Sequence, residues 1–208
     1  MKTPTASHTW LLLATVSALL LSACSTTTAG SPAPAPSSST SQSEPAPPYG
    51  GAPKVDNPLP DSTLAGDPCD ALTPEQLKVD VGPGITGTRG DLSKFARACH
   101  WSAPQVGALL VISFMSQHED GLSPVYSQTQ QSMKRFDVLP PIQGFPAVGY
   151  SDKPGPVSSF CNVAVGVADN LRFEVSLTVA ANSTSDACKI AAEIAGDVAT
   201  TLKQKAGR

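Results

Sequence analysis

The chain has no apolar run long enough to cross a bilayer. Its N-terminal apolar stretch runs from Trp10 to Leu21 and is broken by Thr15 and Ser17, whereas a spanning helix needs about 20 apolar residues. It has no strongly basic character either. The formal charge is −3 and the pI near 5.5, which argues against nucleic-acid binding, where a basic patch or a pI above about 9 is usual. No repeat of solenoid period is present. The chain lacks C-x-x-C, so thioredoxin-like and zinc readings are weak. It also lacks the G-x-S-x-G of a nucleophile elbow, and a Cys–His enzyme would need a free thiol.

What stands at the N-terminus is a short segment carrying Lys2, the apolar stretch, and then small residues. These are the marks of a cleaved secretory signal. The run ends in Leu21-Ser22-Ala23-Cys24, which resembles the lipobox of bacterial lipoproteins at every position. The resemblance implies a diacylglycerol on the Cys24 sulfur and cleavage before it. The alternative is an ordinary secreted protein cut after an A-x-A-like site, with Cys24 a chance residue. Two acyl chains hold a protein stably where one does not, so the expectation is a durable anchor on the extracytoplasmic face of the cell membrane. Loss of residues 1–23 removes Lys2 and no acid, taking the charge from −3 to −4.

Residues 24–66 are dominated by Ser, Thr, Ala, Gly and Pro, with nine of the 20 prolines between Pro32 and Pro60. Such a segment has little apolar surface to offset the entropy of ordering, and a disordered tether is expected. As a polyproline-II rod its roughly 42 residues would reach about 130 Å, and as a flexible coil about 35–40 Å. Residues 67–208 then form one domain of ordinary size.

Within that domain, Thr73, Pro74 and Gln76 make a capping box with proline at the first helical position. Near the other end, Cys188, Ala191, Ala195, Val198 and Leu202 fall at steps of three and four. They form the apolar stripe of a helix of about 18 residues, with Lys203 and Lys205 suited to its negative end. Between these, Phe160 to Ala180 is expected to be a hairpin. A two-residue turn at Asp169-Asn170 would pair Val165 with Glu174 and Val167 with Arg172, mixing apolar and charged residues on one face. A three-residue loop Ala168-Asp169-Asn170 instead pairs Val167 with Leu171, Val165 with Phe173, Val163 with Val175 and Cys161 with Leu177. Ser123 and Pro124 start a middle helix, expected to run to about Phe136 and to end before Pro140-Pro141. The order helix, strands, helix, strands, helix predicts an α+β fold, an antiparallel sheet with helices packed on one side.

Four cysteines belong to the domain: Cys69, Cys99, Cys161 and Cys188. Disulfides persist outside the cytosol. Cys69 precedes the first helix and Cys99 lies in a strand of the same half, while Cys161 and Cys188 occupy the apolar faces of a strand and the following helix. Of three possible connectivities, these placements favour Cys69–Cys99 and Cys161–Cys188.

The segments "DPCDALTPEQL", "ACHW", "GFPAVGYS", "FCNVAVGV" and "DACKIAAEIAGDVATTL", behind a lipobox and a Pro/Ser/Ala tether, together resemble actinobacterial lipoproteins of the domain-of-unknown-function 3558 family. The likeness covers about residues 67–204. It implies an envelope-exposed lipoprotein and carries no reaction, ligand or catalytic residue.

Candidate chemistry is sparse. Gly82 to Gly87 reads G-x-G-x-x-G, but a helix precedes it, and Pro83 removes a backbone donor; a loop is expected. His118, Glu119 and Asp120 are types that ligate metals, yet three adjacent residues of a strand end cannot all face one ion, and a solvated turn is expected. His100 faces away from Cys99 and Trp101, which are expected to pack as a disulfide under an aromatic lid. Asn182 begins an N-S-T sequon, with a helix cap as its plainer role. The strand Val106 to Met115 is apolar on both faces. A central strand covered on both sides accounts for this, and the sharper reading is a hydrophobic ligand cleft faced by Val111 and Met115. No catalytic residue, metal or cofactor is expected. The expected role is a non-enzymatic binding module for a small molecule, lipid or protein. The alternative is a structural or accessory subunit docking on another envelope protein.

Overall fold

The first regular helix begins at Thr73 for a local reason. The Thr73 hydroxyl accepts the N–H of Gln76, and the Gln76 side chain accepts the N–H of Thr73 at 2.7 Å, which satisfies two donors that the first turn would leave bare. This helix, α1 (Pro74–Asp80), has Pro74 in its first turn. The computed structural model describes residues 45–92, 96–115 and 120–208, all within the compact unit Ser43–Arg208. Cys24 and the lipobox lie outside the described residues.

Among the described residues, seven strands form one antiparallel sheet: β1 (Thr88–Arg89), β2 (Arg97–Ala103), β3 (Ala108–Met115), β4 (Arg135–Ile142), β5 (Phe145–Ser151), β6 (Phe160–Ala168) and β7 (Leu171–Thr178). Their spatial order is β1-β2-β3-β7-β6-β5-β4. The register brings Leu110, Ile112, Phe114, Val163, Val165, Phe173 and Val175 to one face, where all are buried. Against it packs α3 (Ala187–Lys205), chiefly over β6 and β7. Its stripe of Cys188, Ala191, Ala195, Val198 and Leu202 is buried, with Ile194 and Ala199 beside it. Alanines at the contact let the helix lie close to the sheet, while each buried Val, Leu or Ile contributes about 1.5–3 kcal/mol. α1 joins the same core through Leu77.

The opposite face carries a second, smaller core. Leu122 and Val125 cover Val148, Tyr150 and Ala164 there. Leu122 stands in the turn that precedes, and Val125 begins, a π-helical turn, Val125–Thr129, that runs into α2 (Gln130–Ser132). The middle helix is therefore shorter than expected and does not reach Phe136. Residues Arg135–Ile142, Pro140 and Pro141 included, are strand β4. Proline is excluded from central strands because it cannot donate to the ladder, but β4 is the sheet edge, and its register shifts between Leu139 and Ile142.

The β6–β7 hairpin has the expected partners Cys161↔Leu177, Val163↔Val175 and Val165↔Phe173, reached by a different turn. Ala168 pairs with Leu171 across a two-residue turn at Asp169-Asn170, and a register shift between Gly166 and Ala168 takes up the extra residue. The bulge keeps the apolar set on one face without a three-residue loop.

That bulge also explains why the packed chain starts earlier than Asp67. The Val167 carbonyl accepts the N–H of Leu59 at 2.8 Å, and the Asp169 carboxylate accepts the N–H of Val55 at 2.8 Å. Val55, Leu59 and Leu64 are buried in the main core. Proline-rich composition masked these three apolar anchors, so the compositional boundary at Gly66 falls too late. Asp169→Ala is expected to cost about 1 kcal/mol and to loosen residues 45–60. Limited proteolysis should then cut before Leu59 sooner than in the parent, and an unchanged cleavage pattern would show that the apolar anchors suffice alone.

Candidate functional site

Because α3 lies over β6 and β7, the sheet extends beyond the helix on the β4 side. The step between them is a groove of about 460 Å³, within the usual range of roughly 300–1,000 Å³ for small-molecule sites. Its strand wall is Leu139, Pro140, Pro141 and Ile142 of β4. The helix wall is Cys188, Lys189, Ala192 and Glu193 of α3. Alternation puts Leu139 on the core face of β4, opposite Ala147. The Pro140-Pro141 bulge turns two side chains without donors toward the opening.

One end of the groove is closed by charge. The Arg135 guanidinium donates to both carboxylate oxygens of Asp186, at 2.9 and 3.0 Å, and to Asp137 at 2.6 Å. Asp186 is also the N-cap of α3, accepting the N–H groups of Cys188 and Ser158. Burial works against its charge, but the Arg135 hydrogen bonds and those two N–H groups prevail and hold the carboxyl below its usual range. The groove thus has an apolar floor and a saturated ionic end, with exposed Lys189 and Glu193 one helical turn apart at its mouth. It can take up an apolar body.

One of the two disulfides bears on this groove. Cys161 is bonded to Cys188, tying β6 to the start of α3 beneath the groove, and Cys69 is bonded to Cys99. Cys99 and Trp101 are buried side by side on β2, with Gly87 against both; a Cβ there would sit 2.6 Å from the Cys99 sulfur. The G-x-G-x-x-G stretch is accordingly a loop whose last glycine makes room for the disulfide and the indole. His100 points to the other face, where its Nε2 meets the Gly90 carbonyl at 2.9 Å. Asp120 precedes the segment at Leu122, while His118 and Glu119 lie outside the described residues. Asn182 sits in an exposed turn, and Asp186 is the cap instead. Among the described residues no group of three or more His, Cys, Asp or Glu could hold a metal ion. No helix among them is long and apolar enough to cross a membrane.

Val111 is buried on the second face between His100 and Ser176, and Met115 is half-buried opposite Arg172. Neither lines the β4–α3 groove. The residues that do line it were hidden from sequence reasoning, because Arg135 and Asp186 are 51 residues apart. The one available signal was the Asp186 cap beside Cys188.

On the second face, Arg172 donates to Glu174 at 2.8 Å and to the Gly121 carbonyl at 2.6 Å. The Tyr150 hydroxyl donates to the other Glu174 oxygen at 3.1 Å. Burial, with the Glu174 charge next, pushes the Tyr150 phenol well above its ordinary value, so it stays a donor. These groups are satisfied by one another and hold the segment at Gly121 to the sheet.

A family model described as "Protein of unknown function (DUF3558)" matches residues 19–201. Searches of the curated proteins and of the solved structures each found no match.

Proposed function

Since the chain belongs to the DUF3558 family of proteins of unknown function, we propose, from its site, that it is a non-enzymatic binding module. In this reading it is held at the extracytoplasmic face of the cell membrane by lipid on Cys24 and receives a small amphiphilic molecule in the groove between β4 and α3. The groove carries the reading: it is the described cavity with an apolar floor, a charge-compensated end and a mouth bearing one cation and one anion. Support for the address is separate. Leu21-Ser22-Ala23-Cys24 has the form of a lipobox, the family match begins at residue 19 and so takes in that box, and two disulfides brace the domain, as suits an oxidising compartment.

Native mass spectrometry of protein released gently from its own host tests this. A retained small molecule is expected, and it should be lost in Ala192→Phe, which fills the groove from a half-buried position on α3 while the melting temperature stays within a few degrees. A stoichiometric protein partner with no small molecule would favour a docking subunit instead. Turnover of an envelope substrate by the purified domain would overturn both.

A further inference from the structure

We propose that Asp80 at the end of α1 and Asp197 on α3 form a proton-operated latch: one shared proton holds the two helices together, and its loss loosens α1. The inference stands apart from the groove reading. α1 and α3 meet where the Gln76 side chain bonds to the Asp197 carbonyl, one turn before Asp80, whose carboxyl lies within hydrogen-bonding reach of that of Asp197; one Asp80 oxygen, Oδ2, is buried without a hydrogen-bond donor among the described residues. A buried carboxylate oxygen with no donor is costly, and two facing carboxylates do not both ionise readily. A single proton between them removes both costs.

The charged groups acting on Asp80 from α3 are Asp197 and Glu193, both acids. On α1 itself Glu75 and Lys78 are exposed, and residues 82–87, which follow the helix, contain no titratable side chain. Burial first, then the Asp197 charge and contact, and then Glu193, push the Asp80 carboxyl up to about 6. When α1 opens, that value returns toward 3.8. The closed state therefore binds the proton more tightly. Closure is favoured most at pH below the open-state value, and the advantage is lost as pH rises through the closed-state value.

Opening would be local. The Gln76 side chain donates to the Asp197 carbonyl at 3.3 Å and accepts from Thr201 at 3.0 Å, while the Cys69–Cys99 bond secures the chain just before α1. The reporters are the amides of Leu77, which bonds to the Thr73 carbonyl, and of Val81 and Gly82, which bond to the Leu77 carbonyl.

Hydrogen exchange at these amides in the full chain, corrected for intrinsic pH dependence, should show opening that rises roughly 25-fold between about pH 4.5 and about pH 7 and then levels off. In Asp80→Asn, whose amide donates to Asp197 without titrating, the profile should be flat. Asp197→Asn provides a second arm, should Asp80→Asn fold poorly: there the rise should be smaller and centred at lower pH without vanishing, because burial still acts on Asp80. Carbon-13 titration should place the wild-type Asp80 carboxyl near 6. An Asp80 midpoint near the usual carboxylate value, or a pH profile identical in parent and variants, would overturn the latch.

Discussion

Removing the Cys161–Cys188 bond by the paired substitution Cys161→Ala, Cys188→Ala is expected to destabilise the domain by about 3–5 kcal/mol. The bond closes a loop with a sequence separation of 27, worth about 3.5 kcal/mol in the chain-entropy model, and both sulfurs are buried, so lost packing adds to it. For a domain of this size the melting temperature should drop by about 10 °C. The consequence extends to the groove, because Cys188 is one of its walls and the bond sets where α3 begins relative to β6. Chemical denaturation of parent and variant is the measurement. A loss below about 1 kcal/mol would mean that the apolar stripe of α3 and the Asp186 cap position the helix without covalent help.

Arg172→Met should cost about 3 kcal/mol, an effect of similar size from a different cause. The Arg172 side chain is 9% exposed and that of Glu174 16%, so truncating the guanidinium strands a largely desolvated carboxylate, and removing one partner of such a pair costs about 3–5 kcal/mol. The Tyr150 donor retained by Glu174 puts the expectation at the low end. The Gly121 carbonyl also loses its donor, so the segment carrying Leu122 and Val125 should loosen, visible as faster exchange there. Adding Glu174→Gln to Arg172→Met should recover part of the loss. A double-mutant cycle in which the two costs simply add would show the pair to be uncoupled and the argument from desolvation wrong.

Legibility in the sequence followed the range of the interactions. α1 could be read because Thr73, Pro74 and Gln76 settle its start within four residues. The β6–β7 register could be read because every alternative buries Glu174 or Arg172 among apolar side chains; the turn beneath it could not, since bulge and loop offer the same register and the Leu59 contact at Val167 comes from more than 100 residues away. β4 was misread as helix and breaker because Pro140-Pro141 is tolerated only at a sheet edge, and edge position is a property of strand order. Residues 45–66 were misread because Val55, Leu59 and Leu64 are few among prolines, and their burial depends on the hairpin they meet.

By itself, then, the amino-acid order determined the class of fold, the stripe of α3, the faces of the central strands and the placement of Cys161 and Cys188 on core-facing elements, since all of these arise from periodicity and caps within a few residues. Only the tertiary structure decided which strand is the edge, where α3 stops covering the sheet, and hence that a groove exists beside Arg135 and Asp186. It alone also brought Asp80 against Asp197. Those features are differences between how far two elements extend and where their ends meet, and no local pattern encodes a distance between parts of the chain that touch only after folding.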